Sequence, residues 1–242
     1  MFVPRSLLPA FLALALAPLA AAQQPSFAEL ESGLDAAVLQ LRITVIAERS
    51  PFEAIEALER AVRARDARAA ELVPQGCSAR RRLESAVELL VERARRAQLY
   101  FESVQEFVEE TEEARLEEEL LWLGELVAAG GPIPRERYQR LAHFFERRSQ
   151  LAIDSCVIPD MHARLMQALE QLYALAERRL ATLVHVQALR ALVAEERLAR
   201  AFERLRRRIA AGQATRLEIE LFEQRVIEQR NLVLGIPFDP CS

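Results

Sequence analysis

No lysine occurs anywhere in the 242 residues, so every basic side chain is arginine. Glycine is scarce at seven residues, tryptophan occurs once, and the three cysteines are an odd number. The motifs that announce common chemistries are missing too: there is no glycine-rich phosphate loop, no G-x-S-x-G, no H-E-x-x-H and no C-x-x-C-H. Acidic residues are plentiful but spread along periodic segments, so no carboxylate pair stands out for acid–base work. The sequence therefore reads as non-enzymatic, with no catalytic residue, no resident metal and no cofactor. A formal net charge of −4 gives no reason to expect nucleic acid or an anionic membrane surface as a partner.

Long hydrophobic runs are confined to the start. Arg5, the apolar stretch Leu7 to Ala17 and the small residues Ala20-Ala21-Ala22 have the layout of a secretory signal peptide, with cleavage expected after Ala22. That apolar core is short and interrupted by Pro9 and Pro18, which does not suit a membrane span. No Cys follows the cleavage site to carry a lipid, and no later stretch approaches 18 apolar residues. The expectation is a soluble chain, periplasmic or secreted, with no transmembrane segment after the leader.

What remains is rich in Ala, Leu, Glu and Arg, all strong helix formers, with Gly and Pro falling mostly between periodic segments. The fold class is all-α. Residues 78–130 and 160–212 align at an offset of 82, and 16 of the 53 positions are identical, among them Arg82/Arg164, Leu83/Leu165, Val104/Val186 and Leu116/Leu198. A heptad phase alone would not favour 82, which is not a multiple of seven, so an internal duplication is indicated. The stripe Leu34, Val38, Leu41, Val45 recurs as Leu116, Leu120, Leu123, Val127 and as Leu198, Phe202, Leu205, Ile209. Its 4-3-4 spacing places four side chains on one helical face. After each stripe come a break and a shorter helix with matching apolar positions: Ile55, Leu58, Val62; Tyr138, Leu141, Phe145; and Ile219, Phe222, Val226.

Segments 78–129 and 160–211 contain no Pro and no Gly/Ser pair to kink them, and each is predicted as one continuous helix opening on Ser78 or Asp160 as a cap. At 1.5 Å per residue each would be roughly 75 Å long. The predicted helices are 26–48, 51–73, 78–129, 134–155, 160–211 and 215–234. The organisation is a signal peptide over 1–22, helical unit 1 over 23–103, unit 2 over 104–185 and an incomplete unit 3 over 186–242. The plan resembles tandem three-helix repeats of the spectrin type, with a shorter period; units that share two long helices would stack as a stiff rod. The alternative is a compact up-down helical bundle.

Cys77, Cys156 and Cys241 each follow a short helix. In a rod they lie too far apart to bridge, whereas a compact bundle permits a disulfide within the chain. Cys156, Asp160, His162 and Met166 are potential soft-metal ligands in a spacing that matches no standard site. His143 and His185 fall inside helices, as core-edge or surface residues. An acidic block from Glu106 to Glu119 and a basic one from Arg197 to Arg208 read as solvated helix faces, or as opposite patches that steer one molecule onto another.

Residues 210–218 (Ala-Ala-Gly-Gln-Ala-Thr-Arg-Leu-Glu) and 231–237 (Asn-Leu-Val-Leu-Gly-Ile-Pro) resemble, locally, a helical hairpin of TolC-type outer-membrane efflux proteins. The resemblance implies a part in an envelope transport or efflux assembly. It departs from that family in its short return helix and in lacking alternating β segments. The sharper expectation concerns unit 3, where two helices leave an apolar groove of Leu198, Phe202, Leu205, Ile209, Ile219, Phe222 and Val226. A helix from a protein partner, or from a second copy in a homo-oligomer, would cover it. The function expected is an exported helical scaffold or adaptor. The alternatives are an efflux-assembly component and a metal- or small-ligand-binding helical protein.

Overall fold

A computed structural model describes residues 25–151 and 160–234. Among them are eight α-helices and no strand: α1 Phe27–Ile46, α2 Phe52–Leu72, α3 Cys77–Arg95, α4 Phe101–Ala128, α5 Arg135–Leu151, α6 Met161–Glu177, α7 Leu183–Ala210 and α8 Arg216–Leu234. The all-α expectation holds, and the shorter helices fall close to where periodicity put them. The two continuous long helices do not exist. Each is broken near its midpoint, between α3 and α4 and between α6 and α7.

The breaks have a common form. Ala97 and Arg179 adopt left-handed backbone conformations, with φ of 54° and 58°. The Ala97 and Gln98 N–H groups donate to the carbonyls of Ala94 (3.1 Å) and Arg93 (2.8 Å). Arg179 and Leu180 repeat this with Ala176 (2.9 Å) and Leu175 (2.8 Å). This is the Schellman closure, which satisfies the orphan carbonyls at a helix end. The same closure with positive φ ends α1 at Glu48, α4 at Gly130 and α7 at Gly212. Glu48, Gly130 and Gly212 are 82 residues apart in succession, as are Ala97 and Arg179, so the sequence repeat is also a repeat of backbone turns.

The sequence hid the breaks for a definable reason. The 4-3 spacing runs through them without a slip: Leu83, Val87, Leu90, Ala94, Ala97, Phe101, Val104, and likewise, with Arg179 as its one polar member, Leu165, Leu169, Leu172, Ala176, Arg179, Leu183, Val186. Left-handed Ala and Arg carry a penalty of about 1–2 kcal/mol that Gly would not, and tertiary packing offsets it. The predicted caps also differ. The N-cap of α3 is Gly76, so Ser78 lies inside the helix, where its hydroxyl donates to Glu117. Asp160 precedes α6 with φ 65° and makes no side-chain cap hydrogen bond.

Once broken, the chain folds back on itself. Helices α1, α2, α3 and α4 close a ring of four in which each touches the next and α4 returns to α1. Its core holds Leu34, Leu41, Leu58, Leu83, Leu90 and Phe107. Helices α4, α5, α6 and α7 close a second ring around Leu116, Leu123, Phe145, Leu165, Leu169 and Leu189. The expectation that one helix serves two units survives in shorter form: the first half of α4 lines the first core and its second half the second. A third ring closes through α3, α4, α7 and α8. The compact alternative thus describes the chain better than the spectrin-like rod.

Cys77 is disulfide-bonded, which the rod excluded. Cys156 and Cys241 lie outside the described residues, as does the leader over 1–22. No described helix is long and apolar enough to cross a membrane.

Candidate functional site

The third ring differs from the others in what fills it. The acidic face of α4 and the basic face of α7, read from the sequence as solvated or as steering patches, meet inside one chain. They run antiparallel: Glu106 pairs with Arg208, Glu109 with Arg204, Glu113 with Arg200 and Glu117 with Arg197. Spacings of three and four residues on both helices keep every member on one face.

Helices α3 and α8 complete the pattern with two closed circuits of alternating charge, each taking one residue from each helix of the ring. In the first, the Arg93 guanidinium donates to Glu106 (2.8 Å) and Glu218 (2.5 Å), and Arg208 donates to Glu106 (2.7 Å) and approaches Glu218 (3.2 Å). In the second, Arg82 pairs with Glu117 and approaches Glu228 (3.7 Å), while Arg197 reaches Glu228 (3.0 Å) and Glu117 (3.5 Å). Arg82 and Arg93, Glu106 and Glu117, and Arg197 and Arg208 are each three helical turns apart, which separates the circuits by roughly 16 Å. Between them Arg225 pairs with Glu110, and a cavity of about 560 Å³ opens, walled by this pair, the four members of the first circuit, Arg82 and Glu228 of the second, and Phe107, Leu205, Leu221 and Phe222.

The local sequence sets this up. Thr215 and Glu218 form a capping box at the start of α8: the Thr215 N–H donates to the Glu218 carboxylate (2.8 Å) and the Glu218 N–H to the Thr215 hydroxyl (3.1 Å). One carboxylate thus both starts α8 and fastens it to α3 and α7.

Burial raises the proton affinity of these carboxylates, and the surrounding arginines lower it. At Glu110 the arginines prevail: Arg225, Arg204, Arg82 and Arg197 outweigh burial and hold it down to about 2. At Glu117 burial is outweighed by Arg82 and Arg197, with the Ser78 hydroxyl assisting, and the value is again about 2. Asp66 on α2 is the opposite case. Burial pushes it up to about 6, and the hydrogen bond from Arg65 only partly opposes this.

These shifts set a pH profile. A raised carboxyl binds its proton more readily when folded, so Asp66 adds stability as pH falls from about 6 towards its unfolded value near 4. Depressed carboxyls do the reverse, so Glu110 and Glu117 hold their contribution above about 4.5 and lose it towards pH 2. Urea unfolding across pH 2–8 is expected to show stability rising gently down to about pH 4.5 and then dropping steeply. Asp66→Asn should flatten the gentle limb and Glu117→Gln the steep one; an unchanged acid limb in Glu117→Gln would contradict this assignment.

The predicted groove residues occupy the hairpin of α7 and α8. Leu198, Leu205 and Phe222 are half-buried, while Phe202, Ile209, Ile219 and Val226 are exposed. The Phe202 and Phe222 rings meet at 6.0 Å between centroids, so the two helices zip along this seam. The hairpin thus docks on α3 and α4 mainly through its charged face and turns an apolar stripe outward. The repeat makes the contrast measurable: at equivalent positions Val38 is 8 %, Leu120 2 % and Phe202 55 % exposed.

Of the remaining candidates, Cys156 lies outside the described residues. His143, His162 and His185 are exposed, and His185 Nδ1 accepts from the Thr182 N–H (3.1 Å) at the start of α7. Among the described residues no group of three or more His, Cys, Asp or Glu is placed to hold a metal ion. The charge circuits escaped the sequence reading because their partners on α3 and α8 are single residues rather than blocks. The available signal was the matching spacing of Glu106, Glu109, Glu113 and Glu117 with Arg197, Arg200, Arg204 and Arg208. No family model, curated protein or solved structure matches this chain.

Proposed function

We propose that the protein is an exported, non-enzymatic helical adaptor that binds a protein partner, or a copy of itself, through the outward face of α7 and α8. One observation carries the reading: Phe202 and Ile209, whose counterparts Leu120 and Val127 are core in the preceding repeat, lie open to solvent here. Burying such side chains is worth roughly 1.5–3 kcal/mol each. The leader pattern of residues 1–22 and the disulfide at Cys77 both fit an oxidising, extracytoplasmic location.

The repeat also supplies the probe. Helix α6 shares the second core with the equivalent stripe through Leu165, Leu169 and Leu172, so a labelled peptide of residues 161–177 has the chemistry to cover the stripe in the third ring. Saturable binding in fluorescence anisotropy is expected, lost in Phe202→Glu and lost with a Leu169→Glu peptide. Equal binding by wild type and Phe202→Glu would count against this face.

The cavity favours a second reading, a small-ligand site. Arg82 Nε, Arg93 Nε and Glu110 Oε2 are buried there without hydrogen-bond partners. Unpaired donors and an unpaired acceptor in one cavity suit a ligand that carries both an anionic and a cationic group. A thermal shift with zwitterionic compounds, absent in Arg225→Ala, would support it. The efflux-assembly reading rests on the likeness of residues 210–218 and 231–237 alone, and 235–237 lie outside the described residues.

A further inference from the structure

We infer that the molecule covering the outward face is a second copy of this chain, bound hairpin against hairpin about a two-fold axis that runs along them. The inference rests on the adaptor reading above and names its partner. Three observations point to a self-complementary contact.

The first is the way this chain builds its cores. In the first ring, α1 and α2 face α3 and α4; in the second, α4 and α5 face α6 and α7. The unit that covers a hairpin is another hairpin. The outward stripe on α7 and α8 has the same spacing, and among the described residues no helix lies across it. A second α7–α8 pair would close a further ring of four.

The second is charge. Along the outer edge of α7, Glu195 and Arg206 lie at opposite ends; along the outer edge of α8, Arg230 and Glu223 do the same. The hairpin's own contacts set their heights. Arg208 meets Glu218, Phe202 meets Phe222 and Arg197 meets Glu228, so Glu195 stands level with Arg230, and Arg206 lies within a few residues of Glu223. A two-fold axis along the hairpin sets α7 of one copy over α8 of the other without changing height. It brings Glu195 against the second copy's Arg230 and Arg206 against its Glu223, twice each by symmetry. An axis across the hairpin would instead set α7 on α7, Glu195 against the second copy's Arg206 and Glu223 against its Arg230; the edge variants below separate the two arrangements, because in that one each variant alone would rebuild its own match and stay dimeric. An isologous contact requires such self-complementarity.

The third is where the hairpin's other charges go. The inner charged face of α7 and α8 is consumed by the circuits with α3 and α4, whereas on the outer edge of α7 Glu195 meets Arg164 of α6 (3.3 Å) and Arg206 meets Glu203 (2.7 Å) as solvent-exposed surface pairs, which are weak enough for a partner's charges to replace.

Light scattering and sedimentation of the purified protein test this. Wild type is expected to be a dimer in the micromolar range. Phe202→Glu, at an exposed position, should keep its helical content while raising the dimer Kd about thirtyfold or more. Two edge variants give the sharper result. Glu195→Arg/Arg206→Glu and Glu223→Arg/Arg230→Glu should each be monomeric alone, and an equimolar mixture should recover a dimer, because opposite charges then meet on both sides.

A monomeric wild type that still binds the 161–177 peptide would overturn this inference and leave the adaptor reading standing; a monomer that binds no peptide would sink both. A second apolar stripe, Leu39, Ile43 and Ile46 on the outside of α1, supplies the control. Ile43→Glu should leave the dimer intact. If it dissociates the dimer, or if association grows without limit, the contact is head-to-tail and the two-fold arrangement is wrong.

Discussion

Arg65→Met is expected to lower the free energy of unfolding by about 3–5 kcal/mol, the usual result of leaving a buried charge without its partner. The Arg65 side chain is wholly buried, at 0 % exposure. It donates two parallel bonds to Glu118 on α4 (2.8 and 2.5 Å), one to Glu31 on α1 (2.7 Å) and one to Asp66 (3.1 Å), and packs 5.4 Å from the Phe27 ring centroid. Burial disfavours the guanidinium charge, but Glu118 and Glu31 outweigh it and leave the group still harder to deprotonate. Methionine fills much of the volume and answers none of the carboxylates. Glu31 retains Arg115, whereas Glu118 keeps only the longer-range attraction of Arg80. The double variant Arg65→Met/Glu118→Leu should therefore regain part of the loss, because it removes one carboxylate left unpaired while buried Asp66 still lacks its guanidinium. Chemical denaturation of the three proteins separates the causes. If single and double variants are equally unstable, the loss is one of packing.

Reduction of the Cys77 disulfide is the second large effect, expected at about 2–5 kcal/mol. Cys77 opens α3, the helix that takes part in both the first ring and the third. The other cysteines, Cys156 and Cys241, are both far along the sequence, so a bridge to either would cross-link a long stretch of the unfolded chain, where the entropy lost is greatest. Cys77→Ser should unfold at the same denaturant concentration as reduced wild type. Coincident curves for oxidised and reduced wild type would show that the bridge contributes nothing.

The sequence revealed this fold unevenly, and the pattern has a physical basis. Helix type and the positions of the short helices followed from composition and periodicity, because burial on one face leaves a 3.6-residue imprint. The repeat followed from the stripe at Leu34, Leu116 and Leu198. The turns at Ala97 and Arg179 did not, because they preserve the apolar phase and use residues that tolerate a left-handed backbone poorly. With the turns missed, a compact molecule read as a rod, and the charged faces of α4 and α7 seemed to need solvent or another molecule. They are partners only because α7 folds back against α4, a relation no local spacing encodes. Four of the seven predicted groove residues, Phe202, Ile209, Ile219 and Val226, are exposed while keeping the pattern of buried counterparts. That the charged back of this stripe would be the docking face was not legible.

Helix α4 belongs to every one of the three rings. A string of separately folded modules melts piece by piece, each at its own temperature. Here the same 28 residues are a structural wall for all their neighbours, so unwinding them strips the backing from both apolar cores and from the charged chamber together. Architecture that began as duplication has, by sharing a wall, given up the independence of its copies.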